Sequence, residues 1–342
     1  MERRAIMSKL PEPINNIAMM IDQYHASKKS KPRPHMGVSL LGHHCDRWLW
    51  INFRWAVVED FDGRILRLFR RGHKEEDVII SDLRAIGIDI RSSQRRVDFG
   101  HHVSGSLDGV IEKGVPEAPK ARHVAEFKTH SKKSFDDMEK NGVEKSKPMH
   151  FIQMQVYMHG TEINRALYVA VCKDDDRLYI ERVKYDKKVA EDAIIRGKRI
   201  AMADRMPEPV SADPSWYQCK FCPAHSFCHK AEPTKHINCR TCAHSTAMAD
   251  STWRCERHDA DNIPEDFQHE GCDDHILHPD MVPWAMEGSD DGHSVKWKIG
   301  ERWVVNGEGG YKSREIIANP EVLDDPVVLS VKALFPDSEV VG

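Results

Sequence analysis

The chain has 342 residues, enough to bury a full core and carry one or two small modules beside it. Lysine and arginine total 50 against 54 acidic residues, a formal net charge of −4, so no global basic excess advertises a polyanionic partner. With 30% charged residues and no apolar run of about 18, nothing in the chain reads as a membrane span.

From the N-terminus, Pro13 to about His25 reads as an amphipathic helix, and SKKSKPRP behind it as a linker, so residues 1–35 precede the main domain. GVSLLGHHCDRWLWINFRW looks like the buried opening helix of a domain over 36–232, with Cys45 near its start. The amphipathic segment FRRGHKEEDVIISDLRAIGI predicts a second helix. Strands are expected at Val97–Val103, Ser106–Glu112 and His123–Thr129. A lysine-rich stretch and the helical HFIQMQVYMHG follow, then strands at Ala166–Cys172 and Arg177–Lys184 that make a hairpin across KDDD. A helix over Lys187–Ala203 closes the domain. Residues 233–290 are rich in His, Cys and Asp with little apolar periodicity, the composition of a small metal-stapled module. Within 291–342, VKWKI and RWVVNGEGGY return to β alternation with an Asn-Gly turn signal, and the last 25 residues carry no clear pattern. Helix, mixed sheet, helix predicts an α/β fold, a mixed central sheet flanked by helices with a small C-terminal Cys-rich metal module.

Within that frame Asp108 lies eighteen residues before Glu126, and Lys128 follows two later. Glu126 and Lys128, at i and i+2 of one strand, project from the same face, and Asp108 on the preceding strand of a hairpin can meet them. Two carboxylates hold a hard divalent cation through oxygen, while an ammonium beside them orients a water or offsets charge on a phosphate. Gln153 and Tyr157 are four apart, hence on one face of a helix that can reach the same place. An isolated match of this kind is more often a solvated hairpin.

Together, Leu107-Asp108, Glu126-Phe127-Lys128 and the Gln153…Tyr157 pair resemble the PD-(D/E)xK superfamily in its RecB-like exonuclease branch. The resemblance spans about Val38 to Cys228, with Leu107 where the family's proline usually stands. It implies a restriction-endonuclease-like core and a Mg²⁺- or Mn²⁺-dependent DNA exonuclease. Asp108, Glu126 and the backbone carbonyl of Phe127 would hold the metal, and Glu76 would complete the shell, with His73 as second choice. Lys128 would position and help deprotonate the attacking water, while Gln153 and Tyr157 would fix water and phosphate. Lysines 128, 132, 133, 140, 145 and 147, and arginines 64, 67, 70 and 71, flank these positions, where a phosphate backbone would approach.

The cysteines divide the same way. Nine are present, an odd number, and MERRAIMSKLPEP lacks the apolar stretch of a secretory signal. Both point to a reduced, cytoplasmic setting in a bacterial or phage-infected cell, where clustered cysteines hold metal. Cys219, Cys222 and Cys228 with the distant Cys45 resemble the ligands of cluster-bearing RecB-like nucleases, which implies a [4Fe–4S] staple. Cys239, Cys242, Cys255 and Cys272 suit tetrahedral zinc, with His275 as an alternative to Cys272. A rival partition joins Cys219-x-x-Cys222 to Cys239-x-x-Cys242 as a plain zinc ribbon and strands the other cysteines. Cys172, in ALYVAVC, reads as a buried strand residue.

The partners implied are DNA and a recombination or repair protein, without a membrane. Two other classes stay open: a non-catalytic DNA-binding or recruitment protein on a vestigial nuclease fold, and an iron–sulfur redox enzyme. The second lacks any dinucleotide-binding glycine fingerprint.

Overall fold

The structure is a computed structural model that describes residues 16–28, 31–92, 95–290, 292–323, 325–335 and 338–340. The first helix, α1, spans Asn16–Ala26; its expected start at Pro13 lies outside the described residues. A short strand β1 (Met36–Gly37) leads to α2 (Asp46–Phe53), which Cys45 caps by accepting the Trp48 N–H at its sulfur. The long α3 (Gly63–Ala85) is capped by Asp62, whose side chain accepts from the Ile65 N–H. Gly63 is fixed by contact, because a Cβ there would stand 2.0 Å from the Asp22 carbonyl oxygen of α1.

Next come β2 (Ile90–Ser92), β3 (Arg96–Asp98), β4 (Val103–Ser106), β5 (Gly109–Ile111) and β6 (His123–His130). The single strand expected over Val97–Val103 is thus two strands. Gly100, His101 and His102 take consecutive positive φ values of 71°, 53° and 63°, and Asp98 accepts the Gly100 N–H, so the chain reverses where alternation alone reads straight on. Helices α4 (Lys132–Ser146) and α5 (Pro148–Thr161) precede β7 (Arg165–Cys172), β8 (Leu178–Lys184) and α6 (Lys187–Ala201).

The central sheet runs β2-β5-β6-β7-β8; β6 and β7 are parallel and the other neighbours antiparallel. A smaller sheet, β1-β4-β3, stands beside it. Alternation along β6 and β7 builds two cores. Ala125, Phe127, Leu167, Val169 and Val171 meet Ile79, Ile80 and Leu83 of α3. Val124, Ala166, Tyr168 and Ala170 meet Met154 and Val156 of α5 on the other face, together with residues of α2 and α6. The expected α/β architecture, with mixed sheets flanked by helices, is the one observed.

After α6, short helices α7 (Tyr217–Lys220) and α8 (His225–His229) carry the first cysteine group, and a β9 (Ser245–Ala247)–β10 (Trp253–Cys255) hairpin and α9 (Glu265–Glu270) the second. This second segment does not fold on a core of its own: Ala247, Trp253, Ile263 and Met281 join the apolar cluster of α2 and α5. Arg240 pins it there. The residue is 1% exposed, and its guanidinium stacks 3.7 Å from the centre of the Trp55 ring and donates to the carbonyls of Phe53 and Pro34 and to Gln268. Arg240→Met keeps the length but leaves those acceptors buried and unpaired. We expect a loss of about 3 kcal/mol, read as a lower urea midpoint at unchanged slope.

The tail forms a sheet of β11 (Ala285–Gly288), β12 (Ser294–Ile299) and β13 (Arg302–Gly307), then α10 (Ser313–Ala318) and α11 (Pro326–Leu334), the last two without a sequence forecast. Asn306 ends a strand instead of turning a hairpin: it is fully buried and its side chain receives the Leu277 N–H. Among the described residues no helix is long and apolar enough to cross a membrane.

Candidate active site

Strand β5 pairs with β6 in the register Gly109 to Ala125, which sets Asp108, in the bend before β5, across from Glu126. Asp108 Oδ2 accepts the Phe127 N–H at 3.0 Å. The Lys128 ammonium donates to the Phe127 carbonyl at 3.1 Å, lies 3.9 Å from Asp108 Oδ2, and pairs with the Glu126 carboxylate. One positive charge is therefore nested among the two carboxylates and the carbonyl expected to hold a metal. Glu126 is fully buried: its Oε1 meets the Lys128 ammonium, while its Oε2 has no hydrogen-bond partner among the described residues. Buried polar atoms are rarely left so, and an oxygen-liganded cation would satisfy this one.

Glu76 reaches the same place from α3, whereas His73, one turn earlier, is exposed. Burial, then the charge of Asp108, pushes the Glu76 carboxyl up to about 7, with Lys128 opposing. Burial also lifts Glu126, to about 8, again against Lys128. Both values exceed the ordinary 4.5, so the metal-free folded chain holds more protons than the unfolded chain between about pH 4.5 and 8. Metal-free stability should fall as pH rises through that window, while Mn²⁺ affinity rises, because the cation competes with those protons. Melting temperatures at pH 5 and pH 8, with Mn²⁺ and with chelator, check both signs.

Helix α5 brings Gln153 and Tyr157 to the sheet face that carries Glu126 and Lys128. Tyr157 donates to the Ser106 carbonyl at 2.7 Å, and Gln153, one turn earlier on α5, is near enough to act on its phenol. Its phenol is raised well above the ordinary value by burial, then by Glu126 and Asp108. Gly105 is required beneath it, since a Cβ there would lie 2.7 Å from the Tyr157 hydroxyl. Asp108, Glu126 and Lys128 are thus in contact with one another, Gln153 and Tyr157 come to the same sheet face, and Glu76 is near enough for the Asp108 and Lys128 charges to act on it, although among the described residues no three acidic side chains here form a ready-made metal cage.

Four residues beside them escaped the sequence reading. His130 Nε2 and His150 Nδ1 each stand 2.9 Å from the Tyr168 hydroxyl, and Ser134 Oγ is 3.2 Å from His130 Nδ1. Tyr168 is the β7 partner of Glu126. Burial, then the Lys128 charge, lowers His150 to about 3, so its ring is neutral. The available signal was spacing: His130 continues the Glu126, Lys128 alternation, and His150 precedes Gln153 by three.

The flanking arginines behave differently from expectation. Arg67 pairs with Asp22, Arg70 stands 3.3 Å from His25 and Arg71 donates to the Lys173 carbonyl, all on the side of α3 away from Glu76. Lys147 lies by Asp137, and its charge is felt by both His130 and His150.

Cys45, Cys219, Cys222 and Cys228 line one small cavity, although Cys45 comes from α2 and the others from the α7–α8 segment. Burial pushes the Cys222 thiol up to about 11, and raises Cys219 and Cys228. In the second group Cys239 and Cys242 are lifted to about 11 and about 12 by burial, and both feel Cys272. Cys272 Sγ lies 3.7 Å from His258 Nε2. The alternative ligand His275 is engaged elsewhere, at Ser313 Oγ (2.8 Å) and Thr241 Oγ1 (3.2 Å). Cys172 is fully buried in β7. Among the described residues no three His, Cys, Asp or Glu side chains form a ready-made cage for a metal ion. That bears on single-ion sites; in a four-iron cluster each thiolate binds a different iron, so the sulfurs stand around a cage, not around one ion.

No family model matches the chain, and no curated protein matches it. Among solved structures, SSO0001 is 15% identical, with 62% of this chain and 96% of that one covered at a TM-score of 0.39. The alkaline exonuclease LHK-Exo from Laribacter hongkongensis is 16% identical, covering 52% of this chain and 89% of its own, at 0.37. Its complex with dAMP gives the same identity and coverage at 0.36. Overlaps this partial carry no argument for function, which rests on the site itself.

Proposed function

We propose that this chain is a divalent-metal-dependent phosphodiesterase of the PD-(D/E)xK type. More narrowly, it is a RecB-like DNA exonuclease with Mg²⁺ or Mn²⁺ as its cation. The observation that carries this reading is the buried Glu126 carboxylate, one oxygen on the Lys128 ammonium and the other without a donor among the described residues, beside Asp108 and the Phe127 carbonyl. Asp108, Glu126 and the Phe127 carbonyl would hold the cation, with Glu76 closing the shell. When bound, that cation polarises the phosphoryl oxygen and lowers the pKa of the attacking water. Lys128 orients that water and offsets charge gathering on the phosphate. Tyr157, held by the Ser106 carbonyl beside Gln153, presents a polar group to the phosphate at a fixed position.

The two cysteine groups serve as staples. Cys45, Cys219, Cys222 and Cys228 suit a [4Fe–4S] cluster, tying α2 to the end of the nuclease core. Cys239, Cys242, Cys255 and Cys272 suit zinc, next to the Arg240 pin.

Anaerobically purified protein incubated with linear and closed-circular DNA tests the activity. Degradation of the linear form alone, in Mg²⁺ or Mn²⁺ and not in chelator, is expected; no degradation of either form in any metal would defeat the reading. A shoulder near about 400 nm in the same sample is expected for the cluster. Colourless protein containing only zinc would count against it.

A further inference from the structure

Ser134, His130, Tyr168 and His150 form one hydrogen-bonded chain that the nuclease reading does not use. Burying two imidazoles and a phenol costs free energy unless their polar atoms find partners. Ser134 Oγ meets His130 Nδ1 at 3.2 Å, and His130 Nε2 and His150 Nδ1 each meet the Tyr168 hydroxyl at 2.9 Å. One polar atom is left over. His150 Nε2 has no partner among the described residues, and it is not sealed in the core either, so it is open to a ligand.

His150, Gln153 and Tyr157, at i, i+3 and i+7, share one side of α5. That is the side brought to Glu126 and Lys128, and Lys128 is the foremost charge acting on His150. Apart from their effect on each other, the charges that act on the two imidazoles are lysines: Lys128 and Lys147 on both, with Lys173 on His130. Ammonium groups on this scale favour an anion beside them.

The chain also sets which way His150 offers its ring. A hydroxyl between two imidazole nitrogens donates to one and accepts from the other. Burial, then the Glu126 charge, raises the Tyr168 phenol, so it keeps its proton for this purpose. Run outward, Ser134 donates to His130 Nδ1, His130 Nε2–H donates to the Tyr168 oxygen, and Tyr168 donates to His150 Nδ1. His150 then carries its own proton on Nε2, the free nitrogen. Run inward, the chain would leave a lone pair there, which repels a phosphate oxygen.

We propose that His150 is a phosphate-binding residue of the nuclease centre, its Nε2–H donating to a non-bridging phosphate oxygen of the DNA, with Tyr168, His130 and Ser134 as the positioning residues that fix its tautomer. An uncharged donor holds the phosphate without placing another cation beside Asp108 and Glu126, where it would repel the divalent metal. This rests on the nuclease reading above and adds a residue to its site.

Two substitutions and one spectrum test it. His150→Phe keeps the bulk of the ring without the donor, and His150→Gln puts an amide N–H near the position of Nε2. In Ca²⁺, the anisotropy of a dye-labelled linear DNA should show His150→Phe binding about ten-fold more weakly than wild type, and His150→Gln recovering most of that loss. In Mg²⁺ the same order should appear in KM, with kcat changing less. Proton–nitrogen NMR of histidine-labelled wild type at pH 7 should find His150 protonated on Nε2, its signals identified by their loss in either variant. Tyr168→Phe, which unties the ring, should let both tautomers appear. DNA affinity unchanged in His150→Phe overturns the proposal, as does a His150 protonated on Nδ1. So does His150→Gln binding no better than His150→Phe, the result expected of a purely structural chain. DNA binding that follows His150 without any hydrolysis would keep the contact and remove the nuclease reading; hydrolysis whose KM ignores His150 would do the reverse.

Discussion

Glu126→Gln is expected to abolish hydrolysis and the metal-induced rise in melting temperature together, while leaving the metal-free fold at least as stable as wild type at pH 8. The first half follows from removing a charged oxygen ligand from a site that has few to spare. Loss of one preorganised electrostatic contact costs on the order of 10²–10³ in rate, and loss of the cation more. The second half follows from burial. Glu126 is fully enclosed and its carboxyl is pushed up to about 8, so ionising it in the metal-free protein opposes folding. An amide of the same shape never ionises. The stability gap between variant and wild type should therefore be small at pH 5 and open as pH rises toward 8, and thermal melts in chelator read it directly. A variant that melts lower than wild type at every pH would mean that Glu126 is held by its ion pair with Lys128 and not kept for a cation.

Lys128→Ala is expected to slow hydrolysis by about 10²–10³-fold while divalent-cation affinity stays the same or rises. The ammonium touches the Phe127 carbonyl and the Glu126 carboxylate and lies 3.9 Å from Asp108, so in the metal-free protein it competes for the groups a cation would use. Removing it takes away a competitor for metal and a charge for the phosphate at once. Calorimetric titration with Mn²⁺ beside turnover on linear DNA separates the two. Wild-type turnover in Lys128→Ala would show that the charge has no part in the reaction. Loss of metal binding would show that Lys128 organises the ligands.

How far the sequence revealed this site depended on periodicity. Glu126 and Lys128 at i and i+2, and Gln153 and Tyr157 at i and i+4, are tied to shared faces by strand and helix geometry, and each face points where the spacing says. The α/β order was legible for the same reason, since β6, β7 and β8 are long and apolar enough to leave little choice. Patterns that depend on tertiary neighbours were not legible. His150 on an apolar helix reads as a core histidine until Tyr168 and His130 are brought to it from two strands. Arg240, inside CRTC, reads as a surface charge, yet three aromatic rings and four acceptor contacts make it the most enclosed cation of the C-terminal half. The arginines of α3 were expected beside the site, but the helix turns Arg67 and Arg71 outward and Glu76 inward. A charge run says nothing about which face it occupies until each position is set on the helix.

The central claim is that Asp108 and Glu126 hold a cation that cleaves DNA from its ends. It is tested most directly by the nucleotides released over time from end-labelled linear DNA in Mg²⁺, with wild type and Asp108→Asn side by side. Among the described residues Asp108 receives the Phe127 N–H and the neighbouring Lys128 charge, contacts that an asparagine side-chain oxygen can still accept. The account predicts steady release by wild type and none above background by Asp108→Asn, both proteins melting at similar temperatures in chelator. Release by Asp108→Asn at the wild-type rate would contradict it.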